Sequence, residues 1–211
     1  MGNSRLSDGV FMARCDDDIV VLDTRVDLYS CLPEAAEAIA LSPPAVEADD
    51  AILEQLAAAG FCDPDARSRV RSLPPLPRFA LDHCRVAPTV LDRVAVVRGM
   101  AAAWREGPGR RPLAQLLATE PCSPANRVDL ERTARLTAAF AQLLPWDPAQ
   151  GACLYRAWLL RRVLQIRGLD AIWVFGVRTW PFGAHCWLQI EDHVLDDDPD
   201  RVAQYTPIMA V

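Results

Sequence analysis

The stretch Phe182-Gly-Ala-His-Cys-Trp-Leu-Gln-Ile190 decides how the carboxy-terminal part of this chain folds. Its histidine and cysteine stand side by side and alternate with apolar residues in the manner of a β-strand. Successive side chains of a strand point to opposite faces, so His185 and Cys186 cannot easily reach each other. We therefore expect Cys186 to be a core residue and His185 to have its partner elsewhere in the chain.

The residues around this strand predict a helix followed by an antiparallel sheet. Apolar side chains recur at helical spacing from Cys153, and Gly168 ends that helix. The turn signal Glu191-Asp192 then separates the last two strands. The predicted elements, in order, are a helix at 153–167 and strands at 170–177, 184–190 and 193–197.

The first part of the chain has a different pattern. Short β-branched segments separated by turn signals predict a three-stranded antiparallel meander at 10–13, 19–22 and 28–32. Helices are expected at about 35–40 and 48–59, the second ending at Gly60. Further helices are predicted at 88–105, 111–118 and 127–144. This order of elements predicts an α+β fold.

A proline-rich segment, Pro74-Pro-Leu-Pro77, separates the two patterns. Such a composition favours an extended, semi-rigid linker. We predict a small domain at 1–65, a linker at 66–79 and a larger domain at 80–211.

Charge and composition exclude several classes of protein. The net charge is −6, and no basic patch is interleaved with aromatic residues, so we expect no nucleic-acid partner. The amino terminus lacks the apolar core of a signal peptide, and no apolar run reaches the length of a membrane span. We expect a cytoplasmic protein with no membrane partner.

The cysteines do not form a metal or disulfide pattern. There are seven, without a Cys-x-x-Cys pair, and only three histidines accompany them. Neither a disulfide framework nor a zinc site is indicated, and we predict no metal and no cofactor.

One cysteine and one histidine are placed for nucleophilic chemistry. A helix start stabilises a thiolate, and Cys153 occupies such a position. His185 on a following strand can accept the thiol proton, and a carboxylate from Asp196, Asp197 or Asp198 can orient the imidazole. From spacing alone, Cys153 can equally be a core residue and the aspartates a solvated turn.

A resemblance to a known family favours the catalytic interpretation. The ordered blocks Cys153 to Gly168, Val174-Phe-Gly-Val177, Pro181 to Trp187, and Asp196 to Ile208 resemble the B protein of lasso-peptide biosynthesis, a transglutaminase-like, papain-like cysteine protease. The resemblance covers about residues 125–211. It implies a triad in which Cys153 is the nucleophile, His185 is base and then acid, and Asp197 orients the imidazole. Strand parity alone leaves the three aspartates open, and the family's spacing selects Asp197.

The first 65 residues resemble a second family, the small leader-recognition domain of PqqD type, which is winged-helix-like. The residues that carry this resemblance are Val20-Val-Leu-Asp23, Tyr29-Ser-Cys-Leu32, Ala35-Ala36, Ile52-Leu53 to Leu56, and Gly60-Phe61. The stretch between Ala40 and Glu47 is too short for the family's middle helix. The resemblance implies that a leader peptide adds as a strand beside the meander and packs on the last helix. The implied contacts are Asp27, Leu28, Tyr29, Ser30, Cys31, Leu32, Ile52, Leu53 and Leu56.

Together these resemblances imply a bacterial leader peptidase whose partners are a lasso precursor peptide and an ATP-dependent macrolactam synthetase. The backbone N–H of Cys153 is a natural oxyanion donor. Gln150 is a candidate for the second donor but can equally be a surface residue, so we leave it out of the catalytic set. Two alternatives stay open: a precursor-binding scaffold without peptidase activity, and an acyltransferase of the transglutaminase or arylamine acetyltransferase type.

Overall fold

The computed structural model describes residues 2–66, 72–118, 129–149 and 151–211. Residues 67–71 of the predicted linker and the first residues of the helix predicted at 127–144 lie outside these ranges. The fold is mixed, with helices and antiparallel strand pairs.

The chain divides into two compact units. The first comprises Met1–Leu73, Gly176–Ala184 and Tyr205–Ala210, and the second comprises Pro74–Phe175, His185–Gln204 and Val211. The sequence predicts a single division at 66–79, whereas the first unit also includes two short segments from the carboxy-terminal part of the chain.

Two small sheets and one helix make up the amino-terminal segment of the first unit. Its elements are β1 (Gly2–Arg5), β2 (Val10–Cys15), β3 (Asp18–Asp23), β4 (Leu28–Leu32), β5 (Ala40–Ser42), β6 (Ala45–Ala48) and α1 (Asp50–Ala58). One sheet is antiparallel with the strand order β2-β3-β4, which confirms the predicted three-stranded meander. The other has the order β1-β6-β5 and is not predicted from the sequence. β3 is fully buried, and β4 is an edge strand.

The prediction of a helix at 35–40 is wrong. These residues form turns and the start of β5, which pairs with β6. Ser42 and Pro43 each precede a proline, and that position disfavours the α conformation. A helix as short as the one predicted at 35–40 is only marginally stable by itself, whereas β5 gains backbone hydrogen bonds by pairing with β6. The described residues 2–66 contain one α-helix, α1, so the winged-helix-like character stays a prediction.

The remaining elements are α2 (Val90–Glu106), α3 (Leu113–Leu117), α4 (Leu130–Leu143), α5 (Cys153–Ile166) and α6 (Pro199–Val202), with strands β7 (Phe79–Ala80), β8 (Ile172–Arg178), β9 (Gly183–Ile190), β10 (His193–Leu195) and β11 (Thr206–Ala210). The strands form a sheet with the order β11-β8-β9-β10-β7. β9 and β10 are antiparallel, and β10 and β7 are parallel. No helix formed by the described residues is long and apolar enough to cross a membrane.

Helix α5 is held by the apolar residues along its length. Leu159, Leu160, Val163 and Leu164 are almost completely buried, and α2 and α4 pack against the helix. Gly99 of α2 allows a close approach, because a Cβ atom there would lie 2.7 Å from Val163 Cγ2 and 3.2 Å from Leu159 Cδ1. This packing fixes where the first turn of α5 lies.

We expect Gly99→Ala to lower the free energy of unfolding by about 1 kcal/mol. Overpacking of a core contact typically costs about 1–3 kcal/mol, and the helix-propensity gain of about 1 kcal/mol offsets part of that cost. Urea denaturation measures the change. Val97→Ala, at an exposed position of the same helix, serves as the control and should change stability by less than about 0.5 kcal/mol. A Gly99→Ala protein as stable as wild type would contradict the close packing of α2 on α5.

Candidate active site

The structure brings the three predicted triad residues together. Cys153 is the first residue of α5, His185 lies on β9, and Asp197 follows β10. His185 Nε2 is 2.6 Å from Asp197 Oδ2. The imidazole of His185 also forms a hydrogen bond with Cys153. His185 is 5% exposed and Cys153 is half-buried, so the thiol can be reached while the imidazole is shielded from water.

The start of α5 is fixed by polar contacts of Asp147. The Tyr155 hydroxyl donates a hydrogen bond to Asp147 Oδ2 at 2.7 Å, and the backbone N–H of Ala149 donates to Oδ1 at 3.0 Å. Asp147 and Tyr155 are both buried. The residue preceding the helix, Ala152, has no polar side-chain atom, so no side chain caps the first turn of α5. Gln150 lies outside the described residues.

The three consecutive aspartates have three different partners. Asp196 accepts hydrogen bonds from Arg156 at 2.6 and 3.2 Å, and Asp198 caps α6 by accepting from the backbone N–H of Asp200 at 2.8 Å. Asp196 has a φ of +54°, which interrupts the alternation of the strand before it. Asp197 is thereby turned toward His185.

The hydrogen bonds at the site favour the charged forms of all three residues. The pKa of Cys153 falls from 9.0 to about 4 because hydrogen bonds from Cys186 and His185 outweigh the effect of burial. Burial alone would lower the pKa of His185, but its hydrogen bonds with Asp197 and Cys153 raise it to about 9. The His185 hydrogen bond likewise holds the pKa of Asp197 below its usual value despite burial. At neutral pH the site therefore contains a thiolate and an imidazolium.

Cys186 is 4% exposed, and the expectation that it is a core residue is confirmed. Strand alternation correctly separates it from His185. Cys186 also affects the nucleophile, because its interaction with Cys153 is the largest cause of the lowered pKa of Cys153. Alternation within β9 does not predict this effect, because Cys153 lies on α5.

The residues expected to bind a leader fall into two groups, one at β4 and one on α1. Asp27 precedes the edge strand β4, where Leu28 and Cys31 are exposed and Tyr29, Ser30 and Leu32 are half-buried. Helix α1 instead packs against β1 and β6. Its residue Leu56 is 5% exposed within the core, and Ile52 and Leu53 pack against that core. The Leu56 side chain is used in folding, and a contact between the leader and this face of α1 stays a prediction.

Comparison with known proteins places this site within a family. Residues 96–210, more than half of the chain, match the model of the transglutaminase-like superfamily. The chain belongs to the transglutaminase-like superfamily. The matched range contains Cys153, His185 and Asp197. Membership of this superfamily is compatible with a cysteine protease.

One curated relative has an informative name. The microcin J25-processing protein McjB of Escherichia coli is 42% identical to this chain over 48 residues. The matching segment spans 23% of this chain and 23% of McjB. No solved structure matches the chain significantly.

We expect the rate at which iodoacetamide carbamidomethylates Cys153 to follow the titration of a thiol with a pKa of about 4. Because the thiol pKa is lowered, the reactive thiolate is present at every pH above that value and is lost only as the pH falls through it. Peptide mapping by mass spectrometry measures the rate at Cys153 and, in the same digest, at the exposed Cys31, whose pKa is raised by burial. At pH 6 Cys153 should react well and Cys31 scarcely at all. If the two alkylation rates depended on pH in the same way, that result would contradict a thiolate–imidazolium pair of Cys153 and His185.

Proposed function

We propose that this protein is the leader peptidase of a lasso-peptide pathway, which binds the leader of the precursor and hydrolyses the leader–core peptide bond. The main support is the Cys153 thiolate at the start of α5, paired with a buried imidazole that Asp197 holds at 2.6 Å. The partial similarity to a microcin J25-processing protein supports a peptide precursor as the substrate.

In the first half of the reaction, the Cys153 sulfur attacks the carbonyl carbon of the scissile bond. The backbone N–H of Cys153 at the start of α5 donates to the developing oxyanion. The His185 imidazolium then gives its proton to the departing amine of the core, and the carbon–nitrogen bond breaks. The products of this step are a leader thioester on Cys153 and a free core amine.

In the second half, a water molecule replaces the amine. Neutral His185 takes a proton from the water, whose oxygen attacks the thioester carbon. Collapse of the intermediate breaks the carbon–sulfur bond and releases the leader as a carboxylic acid, which ionises. Asp197 keeps the imidazole oriented and stabilises its cationic form throughout, so the thiolate–imidazolium pair is restored at the end.

The leader would bind as an added strand at the outer edge of β4. Backbone groups of an edge strand are available for such pairing. An apolar pocket of about 180 Å³ lies beside this strand, lined by Tyr29, Cys31, Thr179, Trp180 and Phe182. The Trp180 indole is anchored by a 2.8 Å hydrogen bond to Asp18, the first residue of β3. The pocket gives a strand-like peptide a place for an apolar side chain, and Asp27 to Leu32 would line its path.

The freed amine of the core defines the next partner. An ATP-dependent macrolactam synthetase would receive the core and join that amine to an acidic side chain. No cofactor is required for the hydrolysis, because the thiolate and the imidazolium supply the nucleophile and the proton. We place both reactions in the bacterial cytoplasm.

Acyl transfer is the second candidate, and membership of the transglutaminase-like superfamily favours it. The same thioester can be attacked by an amine instead of water, which would give a longer amide product rather than a free leader acid. A precursor-binding scaffold would give neither product.

We expect Cys153→Ala to reduce precursor cleavage by about 10⁴-fold or more, because the nucleophile is lost, while leaving leader binding intact. Mass spectrometry of the precursor after incubation measures the products. Cys84→Ala, at an exposed cysteine, is the matched control and should cleave at the wild-type rate. With the wild-type protein, a mass equal to leader acid supports hydrolysis, a leader joined to an added amine identifies a transferase, and an unchanged precursor identifies a scaffold.

We expect Leu28→Asp to weaken leader binding at least about tenfold, because a carboxylate would be placed where the peptide strand covers β4. Fluorescence anisotropy with a labelled leader peptide and the Cys153→Ala protein measures affinity without cleavage. Val90→Asp introduces the same charge at an exposed apolar position of α2 and should leave the affinity unchanged. Equal affinities of the two variants would remove β4 from the leader site.

A further inference from the structure

One arginine of α5 reaches the loop that carries the aspartate of the triad. Arg156 follows Cys153 by three positions, so the two residues are neighbours on one face of the helix. The Nη2 and Nε atoms of Arg156 donate hydrogen bonds to Asp196 Oδ2, at 2.6 and 3.2 Å. The next residue after Asp196 is Asp197. The helix that begins with the nucleophile is therefore joined to the loop that supplies the carboxylate.

The ion pair forms at a carboxylate that needs a partner. The side chain of Asp196 is 14% exposed, and that of Arg156 is 40% exposed. Burial raises the pKa of Asp196, and the hydrogen bond and charge of Arg156 oppose that effect. Asp196 also has a φ of +54°, a conformation that residues with a side chain keep when the surrounding structure holds them there. Arg156 provides such a contact.

The aspartate of the triad has no comparable anchor of its own on α5 among the described residues. Asp197 Oδ2 is 2.6 Å from His185 Nε2, and the backbone N–H of Asp198 donates to Asp197 Oδ1 at 2.9 Å. The exposed Arg201 of α6 lies 3.9 Å from the same Oδ1 atom. The contacts with Asp198 and Arg201 come from residues that follow in the chain, so they move with the loop. Arg156 instead belongs to the helix of the nucleophile.

We propose that Arg156 is a positioning residue, which fixes the loop of Asp196 and Asp197 to α5 and so keeps Asp197 in contact with His185. Both nitrogens of Arg156 contact the same oxygen of Asp196. The pair therefore needs one cationic donor and does not use the paired donors of a guanidinium. Lysine can replace Arg156 in this role, whereas methionine cannot. The effect on peptide cleavage rests on the proposed function, whereas the contact between Asp197 and His185 does not.

The test is the titration of His185, followed by NMR spectroscopy on protein with isotope-labelled histidine. The chain has three histidines, and variants without the other two identify the His185 signal. Burial lowers the pKa of His185, but its hydrogen bonds with Asp197 and Cys153 raise it to about 9. In Arg156→Met the midpoint should fall by about one unit, because the bond to Asp197 is loosened. Loss of a positive charge nearby would by itself raise the midpoint, so the sign of the shift separates positioning from a direct effect of charge.

Conservative and control variants complete this experiment. Arg156→Lys should have a midpoint within about 0.3 unit of wild type. Arg156→Ala removes the side chain and gives a second measurement with the same expected sign as methionine. Arg162→Met removes a positive charge later in α5 and should leave the midpoint unchanged. An unchanged or raised midpoint in the methionine and alanine variants, or an equal fall in the lysine variant, would overturn the proposal.

Cleavage of the precursor by the same variants tests the consequence for the reaction. Arg156→Met should lower kcat about tenfold or more, because a displaced Asp197 no longer orients the imidazole. KM should change little, since Arg156 does not contact the peptide in the proposed mechanism. A rise in KM without a fall in kcat would overturn the positioning role. If wild-type protein cleaves no precursor, the proposed function fails while the titration of His185 still decides the role of Arg156.

Discussion

A thiolate and an imidazolium in a largely buried place are the pair on which the rest of the site depends. Charges removed from water are costly unless each has hydrogen-bonding partners and an opposite charge nearby. Here the imidazolium lies between Cys153 and Asp197, and the thiolate accepts hydrogen bonds from His185 and Cys186. Each partner stabilises the charged form of the next, which explains why three pKa values shift together.

Hydrogen bonds and one left-handed backbone conformation hold the residues around the pair in position. Asp147 ties the loop ahead of α5 to Tyr155 in the first turn. Asp196 is held by Arg156, and its left-handed backbone turns the next residue toward the histidine. None of these contacts touches the substrate in the proposed mechanism, yet each helps to place a residue of the triad.

The first unit forms its hydrophobic core from short strands and one helix. Its buried residues come from both small sheets and from α1, and Leu56 is part of that core. The proposed leader site therefore rests on the edge of β4 and its neighbouring apolar pocket, where an extended peptide would find backbone hydrogen bonds and a place for a side chain.

The sequence by itself determined most of the longer elements and the positions of Cys153 and His185 on them. Helical periodicity places Cys153 at the start of α5, and alternation places His185 on β9, because both patterns are local properties of the chain. It also separates Cys186 from His185 correctly. The helix at 35–40 fails because pairing between β5 and β6 overrides a short helical pattern.

Only the tertiary structure decided which aspartate meets the histidine. The partner of His185 depends on one left-handed residue, Asp196, which strand parity cannot anticipate. Contacts between distant segments are set by packing of the whole unit, and no periodicity within either segment records them.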